Sequence, residues 1–438
     1  MSSESRPQVT RFNLVQVNGT WVRKKEACEF TEGTLSDAKI EERKSHHGVT
    51  WTVASPLALT YRITQSQNIL DPTNHTLLWG HLEDGDRGSS QPVKRFVVVD
   101  DTVNRLYGPW ISRYFQSRKV NYKILPLPTT EENKSLELVT KILEELHAFS
   151  IDRRSEPIIA IGGGVCLDVV GLAAALYRRR TPYIRVPTTL LAYIDASVGA
   201  KNGVNFCGSK NKLGTYIPPA ATFLDRSFFK SLPRRQISNG MAEMLKMALM
   251  KHRGLFEILE VEGQRLLDTK FQSCGQKNTP EEEDAACQST RIAIETMLEE
   301  LAPNLWEDDL DRLVDFGHLI SPELEMKVLP ALLHGEAVNI DMAFMVYLAQ
   351  QRALLTAPEK DRIVKCMLGL ELPVWHPDVS LDLIRKSLAE RLKHCGGSLR
   401  MPLPTGLGRA EIFQEAIADD TLCQAFQRWT DELQRRQD

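Results

Sequence analysis

Two histidines, His318 and His334, lie sixteen positions apart in the stretch DFGHLISPELEMKVLPALLHGEAV, and each stands beside a glycine. Two ligands on one helical face are spaced at i and i+4, so these two can meet only if the chain turns between them, which the two prolines of the stretch allow. Glu243, in NGMAEMLKMA, lies on the apolar side of a predicted helix, where an unpaired carboxylate would be costly to bury. One carboxylate and two imidazoles with an open fourth position would form a catalytic zinc site. The alternative is that both histidines are core residues satisfied by ordinary hydrogen bonds.

A second group of residues suits phosphate chemistry. Gly162, Gly163 and Gly164 follow the apolar run PIIAI and precede a predicted helix, which places bare N–H groups and a helix N-terminus where a phosphate or dinucleotide can bind. A tight turn without a ligand is the alternative, and the GxGxxG fingerprint is not met. Asp168, one helical turn on, and Asp100, which closes FVVVD, could contact the same ligand or could be a first-turn acid and a solvated strand end.

A third group suits a polar, anionic ligand. The segments PTTLLAYIDASVGAKNGVN and GSKNKLGTY set lysines among glycine, serine and asparagine; their charged and amide residues include Asp195, Lys201, Lys210, Asn211 and Lys212. Lysine supplies positive charge for phosphate, and asparagine supplies both a donor and an acceptor for hydroxyl groups. The alternative is a solvated basic loop.

Two kinds of structure must position these residues. From about residue 95 the short runs RFVVVDD, NYKILPL, EPIIAIGGG and TPYIRVPTT alternate with segments of helical spacing, which predicts a parallel α/β domain with helices on both faces. Past about residue 233, long amphipathic segments predict an all-α domain. We expect a polar leader over 1–48, a Rossmann-like nucleotide-binding domain over 49–235 and a helical metal- and substrate-binding domain over 236–438. Within the second, GVTWTVASPLALTYRIT alternates as a half-buried strand pair would.

Composition argues against several classes of function. Of 438 residues, 42% are hydrophobic and 25% are charged, and the formal net charge of -3 offers no basic field for nucleic acid or an anionic membrane. No apolar run approaches the roughly 20 residues that cross a bilayer, and the N-terminus lacks the apolar core of a secretory signal. Eight scattered cysteines without a CxxC pair indicate reduced thiols and a cytoplasmic location.

Taken together, the motifs resemble those of the sugar phosphate cyclases of the dehydroquinate synthase superfamily. In chain order they are VVDDTV, EENKS, GGGVCLD, PTTLLAYIDASVGAKNGVN, SKNKLGTY, NGMAEMLK, DFGH, LHGEAV and PLPTGLG. The resemblance implies a dehydroquinate synthase-like fold, an NAD- and metal-dependent lyase that eliminates phosphate from a sugar phosphate, and a homodimer. It implies zinc, with cobalt as the alternative ion, on Glu243, His318 and His334.

The same resemblance implies roles for other residues. The NAD-binding positions are Asp100, Glu131, Lys134, Gly163, Gly164, Val165, Asp168, Thr188, Thr189 and Asp195. The substrate-binding positions are Arg179, Lys201, Lys210, Asn211, Lys246 and Asp315, with Lys393 as a looser match. Catalytic roles fall on Lys201, Lys246, Asp195 and Asn211. Arg179 would reach the active site of a neighbouring subunit.

Departures from the family pattern indicate the substrate. Dehydroquinate synthases carry asparagine three residues before the first metal histidine and another histidine four residues after it, where this chain has Asp315 and Pro322. Met297 lies near the place of a substrate-facing lysine, and Arg312 lies one position out of register with an expected arginine. These losses remove groups suited to a substrate carboxylate, and the pattern resembles cyclases that act on sedoheptulose 7-phosphate.

That likeness implies transient oxidation by NAD, elimination of phosphate, re-reduction and aldol closure to a seven-carbon cyclitol. Valiolone-type and deoxygadusol-type products stay open, as does 3-dehydroquinate formation. More remote alternatives are a metal-dependent alcohol dehydrogenase and a non-catalytic binding protein.

Overall fold

The computed structural model describes residues 59–82, 93–272, 284–394, 399–415 and 417–434, together with four strands before residue 55. The chain divides into two compact units, Met1–Tyr61 and Arg62–Asp438. In the first unit, β1 (Leu14–Val17) pairs with β2 (Thr20–Arg23), and β3 (Lys39–Ser45) pairs with β4 (Gly48–Ala54), both antiparallel. The segment predicted as a polar leader therefore contains strands, and its predicted boundary at 48/49 falls within the hairpin that β4 completes.

The second unit begins with a parallel α/β region. In chain order its elements are β5 (Arg62–Gln65), α1 (Thr76–Trp79), β6 (Lys94–Asp100), α2 (Asp101–Ser117), β7 (Asn121–Leu127), α3 (Leu136–Phe149), β8 (Ile158–Gly162), α4 (Gly164–Leu176), β9 (Tyr183–Pro187), β10 (Lys201–Phe206), β11 (Ser209–Tyr216) and β12 (Ala221–Leu224). Six strands form one sheet in the order β5-β12-β9-β8-β6-β7, every neighbouring pair parallel. The remaining two strands, β10 and β11, lie between β9 and β12 in chain order and form a separate antiparallel hairpin.

Successive side chains of a strand point to opposite faces of the sheet, and helices cover both faces here, so both sets of side chains are buried. On one face, Val97 and Ile159 pack with residues of α1 and α2. On the other face, Phe96 and Ile158 pack with residues of α3 and α4. The structure therefore confirms the predicted parallel sheet with helices on both faces.

The strand pair predicted from GVTWTVASPLALTYRIT is not formed as expected. Its first strand, β4, pairs with β3, whereas its second strand, β5, lies at the edge of the parallel sheet beside β12. Alternation in sequence indicates a strand but carries no information about a partner that lies far along the chain.

The rest of the second unit is helical apart from one hairpin. Its elements are α5 (Arg234–Lys251), α6 (Arg253–Thr269), α7 (Ala285–Leu301), α8 (Ser321–Val328), α9 (His334–Gln351), α10 (Ala357–Gly369), α11 (Leu381–His394), β13 (Met401–Gly406), β14 (Arg409–Phe413) and α12 (Asp419–Gln434). The hairpin of β13 and β14 was not predicted. Two prolines within MPLPTG disfavour a helix there, and Gly408 takes the left-handed φ of +75° that the turn requires.

Two helices lie at the centre of this helical region. Every residue from Ile237 to Met250 of α5 is buried, and so is every residue from Gly335 to Ala349 of α9. A helix that is buried on all sides must be surrounded by other elements, so polar side chains on α5 and α9 point into protein or into an internal cavity. No helix among the described residues combines the length and apolar character needed to cross a membrane.

Candidate active site

The structure brings together the three residues with metal-ligand chemistry. Glu243 lies in the middle of α5, His334 is the first residue of α9, and His318 lies in the loop that precedes α8. One ligand atom of each lies within 4.8 Å of those of the other two. The two imidazole rings have centroids 5.6 Å apart, and His334 Nε2 lies 3.6 Å from Glu243 Oε1.

Hydrogen bonds orient both imidazoles for metal binding. His334 Nδ1 lies 2.8 Å from Glu325 Oε2, and His318 Nδ1 lies 3.2 Å from the carbonyl oxygen of Phe316. His334 Nδ1 also lies 3.0 Å from Lys210 Nζ. A proton on each Nδ1, shared with the acceptor beside it, would leave each Nε2 lone pair free for a metal. Glu243 Oε1 is buried and has no hydrogen-bond partner among the described residues. An oxygen of this kind fits a divalent cation, because a buried carboxylate oxygen normally has a hydrogen-bond or metal partner.

The charge states of these residues also fit a cation. Burial, together with Lys246 and His334, holds the pKa of His318 well below its usual value, so that its imidazole is neutral near pH 7. Burial alone would raise the pKa of Glu243, but Lys246 and His334 outweigh burial and lower it. The site therefore presents one carboxylate and a neutral imidazole, the states in which these groups bind zinc.

Glycines allow the ligand-bearing elements to approach closely. A Cβ atom on Gly335 would lie 2.0 Å from the carbonyl oxygen of Asn239, where α9 meets α5. Gly317 has a left-handed φ of +77°, and a Cβ atom there would lie 2.7 Å from Cγ of Met342 on α9. Close packing therefore requires a glycine beside each histidine, and this explains why His318 follows Gly317 and His334 precedes Gly335.

A single cavity of about 1130 Å³ adjoins the metal-ligand cluster. Its lining includes both histidines, the predicted catalytic residue Asp195 and the predicted substrate-binding residues Lys201, Lys210, Asn211, Lys246 and Asp315. Glu243 is fully buried just behind this wall. The cavity therefore joins the possible metal site to a set of ammonium and amide groups that suit a phosphorylated polyol.

Several of these cations are held by acids. Lys246 is 2% exposed, and its ammonium pairs with Glu243 and lies 4.0 Å from Asp195 Oδ2. Burial favours the neutral amine, but Glu243 and Asp195 outweigh burial and raise the pKa of Lys246. For Asp195 burial prevails over Lys246, so its pKa is raised. Lys246 therefore stays charged, while Asp195 holds a proton more readily than an ordinary aspartate.

Besides Asp195, the predicted NAD-binding residues also line this cavity. They are Asp100, Glu131, Lys134, Gly163, Gly164, Val165, Asp168, Thr188 and Thr189. No side chain caps the N-terminus of α4, which begins at Gly164. A Cβ atom on Gly163 would lie 3.3 Å from Cγ2 of Thr189, so the strand-to-helix turn forms a narrow cradle. Uncapped N–H groups in a glycine cradle fit the pyrophosphate of NAD.

Two of these residues also have structural partners. Asp100 accepts hydrogen bonds from the N–H groups of Thr102 and Val103 and thereby caps α2. Lys134 donates to Asp168 at 2.6 Å and to Asn211 at 2.7 Å, which links the nucleotide end of the cavity to the β10–β11 hairpin. Asp168 is therefore paired within the site as well as placed near the first turn of α4.

Two predicted substrate-binding residues lie outside this cavity. Arg179 is exposed in the turn after α4, within a run of three arginines that all have positive φ angles. Lys393 is exposed on α11, and its ammonium lies 2.5 Å from Glu390. Within this one subunit, neither side chain contributes to the lining of the cavity.

Asp315 is held by two arginines. Arg312 Nη2 donates to Asp315 Oδ2 at 2.9 Å, and Arg391 Nη2 donates to the same oxygen at 2.8 Å. Burial would raise the pKa of Asp315, but these two guanidinium groups lower it. The arginines are therefore compensated by an anion that belongs to the protein.

Sequence reasoning did not identify two acids of the site. Glu307 lines the cavity and pairs with both Lys201 and Arg312. Glu325, 2% exposed, lines it too and contacts Lys210 and His334. Glu325 carried the same signal as Glu243, an acid in a helix with apolar neighbours. Glu307 has no such pattern in the sequence, because the residues around it, NLWEDDL, are acidic and typical of a surface loop.

Comparison with known proteins gives a consistent result. Residues 124–239 match the family model described as 3-dehydroquinate synthase N-terminal, and residues 240–394 match the one described as 3-dehydroquinate synthase C-terminal. A 2-epi-5-epi-valiolone synthase from Actinomyces sp is 44% identical over 83% of this chain and 94% of its own length. A demethyl-4-deoxygadusol synthase from Trichormus variabilis is 38% identical over 76% of this chain and 82% of its own.

A solved structure extends the comparison to three dimensions. The 2-epi-5-epi-valiolone synthase from Streptomyces hygroscopicus subsp. jinggangensis 5008, with NAD+ and Zn2+ bound, superposes with a TM-score of 0.79. It is 40% identical, and the match covers 87% of this chain and 100% of that one.

Proposed function

This chain belongs to the 3-dehydroquinate synthase family, and we propose that it is a sugar phosphate cyclase that converts sedoheptulose 7-phosphate to 2-epi-5-epi-valiolone with release of phosphate. One observation carries the proposal: a single cavity joins the Glu243–His318–His334 cluster, the glycine cradle of α4 and the lysines of the β10–β11 hairpin. The valiolone synthase structure with NAD+ and Zn2+ bound supports the same pair of cofactors here.

Glu243, His318 and His334 would hold zinc, and the turn at Gly163 would hold the NAD pyrophosphate. When bound, zinc supplies polarisation of a substrate hydroxyl and NAD supplies reversible hydride acceptance, so that oxidation, elimination of phosphate, re-reduction and aldol closure proceed without net use of NAD.

The residues of this chain have separate tasks in that sequence. Lys201, Lys210 and Asn211 bind the phosphate and hydroxyl groups and hold the substrate in one pose. Lys246, charged and buried, favours negative charge on a neighbouring substrate oxygen. Asp195, whose pKa is raised by burial, is suited to hold a proton released near that oxygen.

The pair of arginines around Asp315 favours a substrate without a carboxylate. Arg312 and Arg391 already share the Asp315 carboxylate, so a substrate carboxylate at this place would meet an anion. Met297 and Pro322, which also line the cavity, offer no positive charge. This arrangement supports sedoheptulose 7-phosphate over the carboxylated substrate of a dehydroquinate synthase.

Two further features of the protein belong to the proposal. A homodimer would allow the exposed Arg179 to reach a neighbouring cavity. A cytoplasmic location is supported by the cysteines of the described residues, which are all free thiols.

The test is an assay with the purified protein, NAD, Zn2+ or Co2+, and sedoheptulose 7-phosphate. We expect stoichiometric release of inorganic phosphate with no accumulation of NADH absorbance. NMR of the product then separates valiolone from deoxygadusol-type cyclitols, the rival supported by the 38% identical relative. Accumulation of one NADH per turnover would instead support an alcohol dehydrogenase, and absence of phosphate release would contradict the cyclase proposal.

A further inference from the structure

Glu325 joins two parts of the site that the proposed function treats separately. Its Oε2 atom lies 2.8 Å from His334 Nδ1 and accepts from Lys210 Nζ at 2.6 Å, and the same Nζ lies 3.0 Å from His334 Nδ1. His334 begins α9 in the helical region, whereas Lys210 lies on β11 in the α/β region. One carboxylate oxygen therefore lies between a possible metal ligand and a possible substrate-binding lysine.

The burial of Glu325 distinguishes it from an ordinary surface acid. Glu325 is 2% exposed, so its ionised carboxylate depends on His334 and Lys210 for compensation. Glu323, two positions earlier on α8, gives the contrast: its side chain is 34% exposed and pairs with Lys386 at 2.6 Å on the outer face. The two acids share one short helix but face opposite sides of it.

The start of α8 is itself fixed to α9. Asp341 Oδ2, on α9, accepts from the N–H of Ile320 at 2.5 Å and of Ser321 at 2.9 Å. The hydroxyl of Ser321 also donates to the carbonyl oxygen of Gly317 at 2.7 Å. Because α8 is held at its first turn, the position of the Glu325 carboxylate is set by the same helix that carries His334.

We infer that Glu325 is a positioning residue that orients His334 for the metal and Lys210 for the substrate through one buried carboxylate. The inference rests on the metal and substrate sites of the proposed function. A carboxylate on the far nitrogen of a histidine ligand fixes the ring and raises its basicity, and loss of such a partner commonly weakens metal binding by about 10–100-fold. Because Glu325 also contacts Lys210, its loss should weaken substrate binding as well as metal binding.

The experiment compares Glu325→Gln with Glu323→Gln as the matched control on the same helix. Zinc affinity is measured by competition with a chromophoric chelator, without substrate, and NAD affinity is measured by fluorescence titration. For Glu325→Gln we expect zinc affinity to fall about 10–100-fold, NAD affinity to stay near the wild-type value, and KM for sedoheptulose 7-phosphate to rise even when zinc is saturating. Glu323→Gln should match the wild type in all three.

A purely structural role would give a different pattern. Glu325→Gln would then lower the midpoint of thermal unfolding while the folded protein kept wild-type zinc affinity and KM, and this outcome would overturn the inference. If Glu325→Gln does not fold, Glu325→Asp replaces it, because aspartate keeps the charge but withdraws the oxygen by one methylene group. Unchanged zinc affinity in Glu325→Asp would also overturn the inference.

Failure of the inference can be separated from failure of the proposed function. Wild-type protein that binds zinc but does not release phosphate contradicts the proposed substrate, while the zinc titrations still decide the role of Glu325 at His334. Wild-type protein with no zinc affinity overturns both.

Discussion

At the scale of single residues, the site depends on which side chains are paired and which are not. Most charged groups around the cavity have partners, as Lys246 has in Glu243 and Lys210 has in Glu325. Among the described residues Glu243 Oε1 has no hydrogen-bond partner, and the acceptors beside both Nδ1 atoms favour tautomers whose Nε2 atoms are free. One ligand atom of each residue lies within 4.8 Å of those of the other two, an arrangement that supports the proposed metal site over satisfied core histidines.

Removal of one ligand should remove the metal and the activity together. We predict that His334→Ala loses bound zinc, measured by elemental analysis after dialysis, and loses phosphate release by more than about 100-fold, because two remaining ligands bind the ion less tightly than three. His376→Ala is the matched control, since His376 accepts from the N–H of Asp378 outside the cavity lining. Full activity in His334→Ala would show that the ligand assignment is wrong.

Neutralisation of Asp315 should change which anions bind. In Asp315→Asn, Arg391 loses the carboxylate of Asp315 while Arg312 retains that of Glu307, so one positive charge is left uncompensated. We therefore predict that a carboxylate-bearing analogue of sedoheptulose 7-phosphate inhibits about tenfold more strongly, equivalent to about 1.4 kcal/mol. Inhibition constants from initial rates measure this effect. Asp311→Asn, which removes a more exposed partner of Arg400, should leave them unchanged. Equal inhibition of Asp315→Asn and wild type would count against a role in selecting the substrate.

At the scale of elements, the short helix α8 has a larger role than its length suggests. It follows the loop of His318, its first N–H groups bind Asp341 of α9, and its buried side carries Glu325. Pro322 at its start lines the cavity. The helix thus connects the loop of one histidine to the helix of the other, and disturbance of its first turn should reach the proposed metal site.

The anchor of α8 predicts a pH effect on stability. Burial raises the pKa of Asp341 from 3.8 to about 6. A carboxyl group whose pKa is higher in the folded state stabilises the fold when protonated, and this contribution is lost as pH rises from about 4 to about 6. We predict that the free energy of unfolding of the zinc-free wild type, relative to Asp341→Asn, falls by about 3 kcal/mol across that range. Denaturant titrations at several pH values measure the difference. A difference that is constant with pH would contradict the raised pKa.

Local sequence patterns predicted the elements better than their partners. The alternation of β-branched runs with helical segments was sufficient for the parallel sheet, and the triple glycine after PIIAI was sufficient for the bare N-terminus of α4. The pairing of β5 with β12 and the contact of Glu325 with Lys210 join residues more than a hundred positions apart, which no local period encodes. The β13–β14 hairpin was missed because the surrounding amphipathic segments favoured helix throughout.

At the scale of the whole molecule, the cavity draws on both regions of the second unit. The α/β region supplies the glycine cradle and the β10–β11 hairpin, while the helical region supplies both histidines and Lys246. The two family models meet between residues 239 and 240, near the start of α5. A cavity between two such regions is a common location for a cofactor and its substrate.

If Arg179 acts in a neighbouring subunit, two inactive variants should rescue each other. We predict that Arg179→Ala and His334→Ala are each nearly inactive, and that equal amounts mixed under subunit exchange recover about a quarter of wild-type activity, since half of the dimers are mixed and each has one intact site. Phosphate release before and after exchange measures the recovery. No recovery, with mixed dimers shown by native mass spectrometry, would place Arg179 in its own subunit's site or in none.

The close contact of Gly335 with Asn239 has a consequence for altering this protein in the laboratory. Any larger residue at 335 must push α9 away from α5 and so separate His334 from Glu243. Substitutions near the proposed metal ligands are therefore poorly tolerated, whereas Met297, Asp315 and Pro322 line the open cavity. A library aimed at new cyclitols should randomise those three positions and leave both histidine–glycine pairs untouched.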